Sequence, residues 1–517
     1  MSILNVEKVS HDYGGKTILD EASFRLLNGE HVGLVGANGE GKSTFLNIIT
    51  GKIEPDAGKI EWCKRITTGY LDQHTVLEKG KTIKEVLQDA FKHLFDLENE
   101  MMDMYTKMSD CSDEEMTYYL EEVGEIQEIL DHSGFYMIDV KINEVASGLG
   151  LMDIGLDKDV SKLSGGQRSK VLLTKLLLEN PMILILDEPT NYLDENHIRW
   201  LTQFLQNYEN AFILVSHDTT FLNNVVNVIY HLEEGGLTRY KGDYQYYLEQ
   251  AELKRRQVQA AYEKQQKEIA DLEDFIARNK ARVATRNMAN SRQKKLDKMT
   301  IIEKPKTKVK PQFGFIEART PGKVVFKTND LVIGYDEPLT RPLNIEFERF
   351  QKIAIKGVNG LGKTTLLKTL LGITPPFSGS VVVDPYVEIG FFKQEETPSN
   401  KTTLDELWDE YPDRNNGEIR AMLARCGLTT DHIESKVAVL SGGENAKVRL
   451  CKIMNRPCNV LVLDEPTNHL DVEAKDELKR AIQDFKGTVI LVSHEPEFYQ
   501  QVVDEIWNVE NWTTKII

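Results

Sequence analysis

The sequence predicts an α/β protein of two tandem parallel-sheet domains, joined by a long two-helix linker, with a helical hairpin inserted in the first domain. Three observations predict this. The same glycine-rich and strand-like motifs occur twice in the same order. The spacing between the copies changes at a single place. A polar, basic segment with helical patterning separates the copies.

The repeat comes first, because self-similarity decides how many units a chain contains. GANGEGKST at Gly36–Thr44 returns as GVNGLGKTT at Gly357–Thr365. LSGGQ at Leu163–Gln167 returns as LSGGE at Leu440–Glu444. LILDEPTNYLD, ending at Asp194, returns as LVLDEPTNHLD, ending at Asp471, and LVSH ends at His217 and again at His494. Lys363 follows Lys42 by 321 residues, and Gln394 follows Gln73 by the same interval. From Ser164 to Ser441 the interval is 277, as it is from Asp187 to Asp464 and from His217 to His494. The first copy therefore carries about 44 extra residues between 74 and 163. The short apolar runs MILILD and VLVL have the length and composition of buried strands.

The extra segment reads as a helical hairpin over about 83–132. Ile83, Val86, Leu87, Ala90, Phe91, Leu94, Met101, Tyr105 and Met108 follow a helical period. Ser112 and Glu115 form a capping-box start for a second helix, continued by Met116, Tyr119, Leu120, Val123 and Leu130. Either an elaborated subdomain or a protruding arm that touches a partner fits this pattern. The linker reads as helical from Tyr244 to Asn279, and a second helical stretch runs to about Met299, where EKPKTKVKP breaks it. The expected organisation is a first domain over 1–243, a linker over 244–318 and a second domain over 319–517.

Composition narrows the class. A length of 517 residues suits two or three domains, and 41% hydrophobic with 28% charged residues is ordinary for globular proteins. Five cysteines, without CxxC spacing, read as free thiols in a reducing compartment. The N-terminus lacks a signal-peptide pattern, and no apolar run reaches the roughly 18 residues of a membrane span. A cytoplasmic monomer is expected. The net charge of −18 is unevenly spread: 254–310 holds 17 Lys/Arg against 7 Asp/Glu. Within it, 276–300 carries Arg278, Lys280, Arg282, Arg286, Arg292, Lys294, Lys295 and Lys298 against one acid, Asp297. A charge run can be only a solvated helix. A basic helical pair on an acidic body is also the footprint of a polyanion partner.

The motifs carry phosphate chemistry. GxxxxGK followed by Ser or Thr is a phosphate loop, whose glycines turn backbone N–H groups inward. Gly36, Asn38, Gly39, Gly41, Lys42, Ser43 and Thr44 form the first loop; Gly357, Asn359, Gly360, Gly362, Lys363, Thr364 and Thr365 form the second. ATP and Mg²⁺ are the expected ligands. Lys42 and Lys363 reach the β/γ-phosphates, and Ser43 and Thr364 bind the metal with Asp187 and Asp464 from strand ends. Glu188 and Glu465, the next residues, are placed to polarise the attacking water. Gln73 and Gln394 fit metal and water sensing, though each could be an ordinary loop amide. His217 and His494 fit a γ-phosphate contact. Tyr13 and Tyr335 precede the loops and can stack on adenine or pack locally.

LSGGQ and LSGGE each open a helix with a serine and two glycines, a second phosphate cradle. One domain cannot easily close both of its cradles on one nucleotide. Here the sequence resembles the ATP-binding-cassette superfamily, and that resemblance implies that each signature completes the other cassette's site. Ser441, Gly442 and Gly443 would complete the site of Lys42, and Ser164, Gly165 and Gly166 that of Lys363. Asp194 and Asp471 would stand at the seam.

Two fused cassettes, the insertion and the basic linker FIARNKARVATRNMANSRQKKLDKM are together similar to the ABC-F family, as are NYLDENHI, NHLDVEA and YKGDY. The resemblance implies an ATP-hydrolysing translation factor. Its ATP-bound closed form would bind the exit site of the ribosomal large subunit. The linker would face peptidyl-site tRNA and rRNA, the arm would touch the stalk side, and hydrolysis would drive release. Ribosome protection against antibiotics, a transporter's ATPase subunit and an ATP-clamped nucleic-acid scaffold are the alternatives.

Overall fold

In this computed structural model the described residues are all except 1, 14–15, 38, 65, 72–79, 109–111, 192, 280–285, 302–309, 336, 359, 394–397, 469 and 515–517. The two halves are built to one plan. In the first, the strands Thr68–Leu71, Ile183–Asp187, Ala211–Val215, His31–Val35, Val228–Glu233 and Gly236–Lys241 lie side by side in that order. All neighbours are parallel except the last pair. In the second, the order is Ile389–Phe392, Val460–Asp464, Thr488–Val492, Lys352–Lys356, Glu505–Asn508, parallel throughout. These strands are continuous apolar runs because both sheet faces are covered. Ala211–Val215 and Val460–Asp464 are buried at every position.

A three-stranded antiparallel sheet packs on one face of each: Lys16–Leu27, Ser2–Tyr13 and Ala57–Trp62, then Glu346–Glu348, Val324–Val332 and Ser378–Val383. Helices cover the other face, so each half has two apolar clusters, one on each side of its parallel sheet. The phosphate loops, the acidic pairs Asp187–Glu188 and Asp464–Glu465, and His217 and His494 all follow strands whose C-terminal ends lie along one edge of this sheet. In open α/β sheets ligands bind in the crevice there.

Two isolated bridges locate the insertion. Thr82 pairs with Asp159 in the first half and Thr402 with Lys436 in the second. The enclosed segments differ by 43 residues (77 against 34), nearly all of the extra length. The first half fills the interval with Ile83–Gln88, Lys92–Lys107, Asp113–Ser133 and Ile138–Gly148. The second has only Thr403–Trp408, Asn416–Arg425 and Thr430–Glu434. The capping box forms: Ser112 N donates to Glu115 Oε2 at 2.9 Å, and Glu115 N to Ser112 Oγ at 3.4 Å. The helical period is only partly a core face. Leu94, Met101, Val123 and Leu130 are buried, but Tyr105 and Leu120 are about half exposed. A two-helix hairpin has one contact surface, and the remaining apolar residues of its period face outward.

The linker is a helix of 36 residues, Tyr244–Asn279, followed by Arg286–Asp297, which packs back on it. Its root is fixed by aromatics. Tyr247 is buried, with ring centroids 5.2 Å from Tyr240, 5.6 Å from Tyr244 and 5.4 Å from His231. No helix among the described residues is long and apolar enough to cross a membrane.

Candidate active site

Each phosphate loop leaves an interior strand of its sheet and runs into a helix, Lys42–Ile49 or Lys363–Leu370. The helices are entered through Gly41 and Gly362, at φ 99° and 91°. Only glycine takes that left-handed turn without strain. A β-carbon on Gly41 would also come within 2.4 Å of the Ile18 side chain. Lys42 is buried, and its Nζ donates to the carbonyls of Gly36 (2.9 Å) and Ala37 (3.0 Å). Lys363 does the same with Gly357 (2.7 Å) and Val358 (3.2 Å). Burial lowers the pKa of both lysines, and carboxylates oppose it. For Lys42 these include Glu188 and, from the other half, Asp471; for Lys363 they include Glu465 and, from the other half, Asp194.

The acidic pair sits at a strand end. Ser43 Oγ donates to Asp187 Oδ2 at 3.0 Å, and Thr364 faces Asp464. Glu188 and Glu465 then adopt φ of 52° and 49°, unusual for residues with a β-carbon. Such outliers persist where the surroundings fix them, commonly at functional sites. Here the fixing bonds run from Glu188 N to Val215 O (2.9 Å) and from Glu465 N to Val492 O (3.0 Å). The turn points each glutamate at the next strand's histidine. Glu188 Oε1 lies 3.5 Å from His217 Nε2, and Glu465 Oε1 lies 3.2 Å from His494 Nε2. Burial lifts both glutamates to about 8, aided by Asp187 for Glu188, while Lys363 opposes the rise at Glu465. Burial, then Lys363, pushes His494 down to about 3, so its imidazole is neutral at pH 7.

The signatures open the helices Gly165–Glu179 and Gly442–Met454, each with a serine capping box. They face the opposite half. A cavity of 1420 Å³ is lined by Ser164, Gly165 and Gly166 from the first half and by Lys363, Thr364 and Glu465 from the second. Across the other site, a β-carbon on Gly39 would stand 2.8 Å from Glu444 Oε1 of the second signature. At the seam, Asp194 accepts from His197 N (3.1 Å), and Asp471 accepts from Ala474 N (2.8 Å). Thr220 Oγ1 donates to Glu497 Oε1 at 2.7 Å, joining the halves directly.

Chains with this organisation are known. The family model described as ABC transporter matches 19–191 and 340–468, and an extension model with the same description matches 230–315. The chain is 62% identical, over all of both chains, to the uncharacterized ABC transporter ATP-binding protein YfmM of Bacillus subtilis. It is 37% identical to ABC transporter F family member 2 of Arabidopsis thaliana, covering 98% of this chain and 75% of that protein. This chain belongs to the ABC-F family. It is also 33% identical to the energy-dependent translational throttle protein EttA of Mycobacterium tuberculosis, over 98% of this chain and 90% of that one. Among solved structures, a complex of the archaeal ribosomal stalk protein aP1 with the ribosome recycling factor aABCE1 shares the fold. There the TM-score is 0.57 at 21% identity, covering 97% of this chain and 87% of that chain.

As an ABC-F ATPase the chain binds and hydrolyses ATP. The structure brings together the expected loop, strand-end and signature residues, with these exceptions. Asn38, Asn359, Gln73 and Gln394 lie outside the described residues. Tyr335 lines the cavity of the second site and, like Tyr13 of the first half, is largely exposed. A magnesium ion fits the donor set. Asp464 is 1% exposed and faces the Thr364 hydroxyl, and among the described residues its carboxylate oxygens have no other hydrogen-bond partner. Carboxylate plus hydroxyl oxygen is hard-cation chemistry.

Several supporting residues escaped sequence reasoning. Lys447 Nζ holds Asp471 at 2.9 Å, and its counterpart Lys170 lies 3.4 Å from His197 Nδ1. Their common interval of 277 residues was the available signal. Lys475 pairs with Glu495 at 2.8 Å in the cavity that Glu188 and Glu465 also line. In the linker, Arg278 pairs with Asp274 (2.8 Å), Lys295 with Glu268 (2.7 Å), and Arg292 stacks 3.7 Å over Phe275. Lys294 and Lys298 are exposed, Arg286 opens the second linker helix, and Lys280 and Arg282 lie outside the described residues.

Proposed function

We propose that this ATPase is a ribosome-associated translation factor, whose ATP-bound closed form places the basic linker against RNA and whose hydrolysis releases it. The observation that carries the reading is the cross-seam construction of both sites. Two ATP molecules can bridge the halves, so nucleotide state sets how the halves, and the linker rooted between them, are held. The concentration of basic residues in 276–300 on an acidic chain supplies the RNA-facing surface. The relative named as a translational throttle supports the same reading.

In this scheme Lys42 and Lys363 hold the phosphates. Ser441, Gly442 and Gly443 close the first site, and Ser164, Gly165 and Gly166 the second. Ser43, Asp187 and Gln73, or Thr364, Asp464 and Gln394, would hold Mg²⁺, which neutralises charge developing on the phosphoryl group. Glu188 and Glu465 orient water and take its proton; a carboxylate near pKa 8 is a stronger base than an ordinary one. Neutral His494 donates one ring N–H toward the γ-phosphate. Asp194 and Asp471 transmit occupancy across the seam, and Tyr335 takes the adenine.

The test is sedimentation of the Glu188→Gln, Glu465→Gln double variant with ATP through a sucrose gradient. The trapped protein is expected in the ribosomal fractions. Its absence from them sinks the ribosomal reading, whatever its ATP binding. Lys294→Ala with Lys298→Ala should then weaken the association and make its loss with salt shallower, leaving basal hydrolysis intact.

A further inference from the structure

Glu40 belongs to none of the roles above, yet it sits inside the first phosphate loop. Its Oε2 accepts from Ala37 N at 2.9 Å and would stand 2.9 Å from a β-carbon on Gly36. These are the same two residues whose carbonyls hold the Lys42 ammonium. Lysine and carboxylate thus converge on one turn, and Glu40 helps hold Lys42 charged against burial. The second loop has Leu361 in this place, 6% exposed and packed in the apolar core.

A second carboxylate enters from across the seam. Glu444 Oε1 is the atom a β-carbon on Gly39 would meet at 2.8 Å. Glu444 is 7% exposed and is held 3.1 Å from His432 Nε2. At the second site the equivalent signature residue is the uncharged Gln167, and among the described residues a β-carbon on Gly360 would meet no atom within 4 Å. At these two positions the first site carries carboxylates where the second has Leu361 and Gln167; Glu510 acts on Lys363 as the smallest of its charge partners, whereas Glu40 ranks second for Lys42.

We propose that Glu40, reinforced by Glu444, makes the first ATP site the weaker of the two, so that the second site fills first. ATP brings its own dense negative charge to the loop. Glu40 already neutralises part of the Lys42 field and repels the incoming phosphates, while Leu361 does neither. The inference rests on ATP binding at the two loops and not on the ribosomal reading.

The test uses the full chain with one loop disabled and no ribosomes. Fluorescent ATP with Mg²⁺ is titrated into the Lys363→Ala protein, which leaves the first site, and into the Lys42→Ala protein, which leaves the second. The first site should bind more weakly. Glu40→Gln keeps an acceptor for Ala37 N–H but removes the charge. It should tighten the first site about tenfold, with a gain that shrinks as salt rises. Glu444→Gln should act in the same direction by a smaller factor. Leu361→Glu should weaken the second site. Unchanged affinity in Glu40→Gln would show that Glu40 only braces the loop, and weaker binding would reverse its assigned sign; either overturns the proposal.

Discussion

The first and second ATP sites carry matching motifs in the same order, but different side chains support them. Asp471 is held by Lys447 at 2.9 Å; Asp194 is held by His197 at 2.8 Å. The seam helix of the second half presents Lys475, paired with Glu495, where the first half has Ile198 and Asp218. The lesson is that a duplicated motif set does not make duplicate sites. Loop, carboxylate and histidine fix what reaction is possible. The neighbours that hold them set the charge and rigidity at which each copy works.

Removing both bases should give the largest effect. Glu188→Gln with Glu465→Gln should lower phosphate release by about 1000-fold, within the range for loss of a general base. The single variants sharpen the contrast. Equal losses would mean the two supports are interchangeable, and unequal losses identify the site that limits turnover.

Next are the seam aspartates. Asp471→Ala removes a helix cap and leaves the buried Lys447 ammonium unpaired, which should cost about 3 kcal/mol in denaturant unfolding. Asp194→Ala should cost about 1 kcal/mol for the lost helix cap, because Lys170 keeps its contact with His197 Nδ1. Equal costs would erase the difference between the two supports.

A pH series gives a smaller shift. Glu188 and Glu465 are both raised from 4.5 to about 8 in the folded protein. The folded chain therefore binds more protons than the unfolded chain between those values, and stability falls as pH rises through that window. The nucleotide-free protein should lose melting temperature from pH 6 to 8, and the double Gln variant should lose less. Calorimetry showing parallel slopes would contradict the burial of these carboxyls. Smallest is Lys475→Ile, which copies the first half. Lys475 favours the ionised form of Glu188, so first-site hydrolysis near pH 7, read in the Glu465→Gln protein, should drop about twofold.

Much of this was legible beforehand because it is local. The phosphate loops, the apolar strands and the capping box at Ser112 are written in adjacent residues, and the change of interval placed the insertion. What escaped depends on side chains distant in sequence. Arg292 looked like a free cation until the linker helices folded together and set it over Phe275. Tyr105 and Leu120 obey a helical period, but period alone does not say how many faces of a hairpin are covered. Glu40 stands inside the first phosphate-loop motif, and only the fold shows its carboxylate turned back onto Ala37.

The first linker helix also has a mechanical consequence. Thirty-six residues of unbroken helix span about 54 Å at 1.5 Å per residue. Its aromatic root grips the first sheet beside the phosphate loop. Pivoted there, the rod turns each 5° of tilt into about 5 Å of travel at its far end. A rearrangement at the seam too small to change the packing of either half is thus enlarged, at a distance, into a displacement comparable to the width of a nucleotide base.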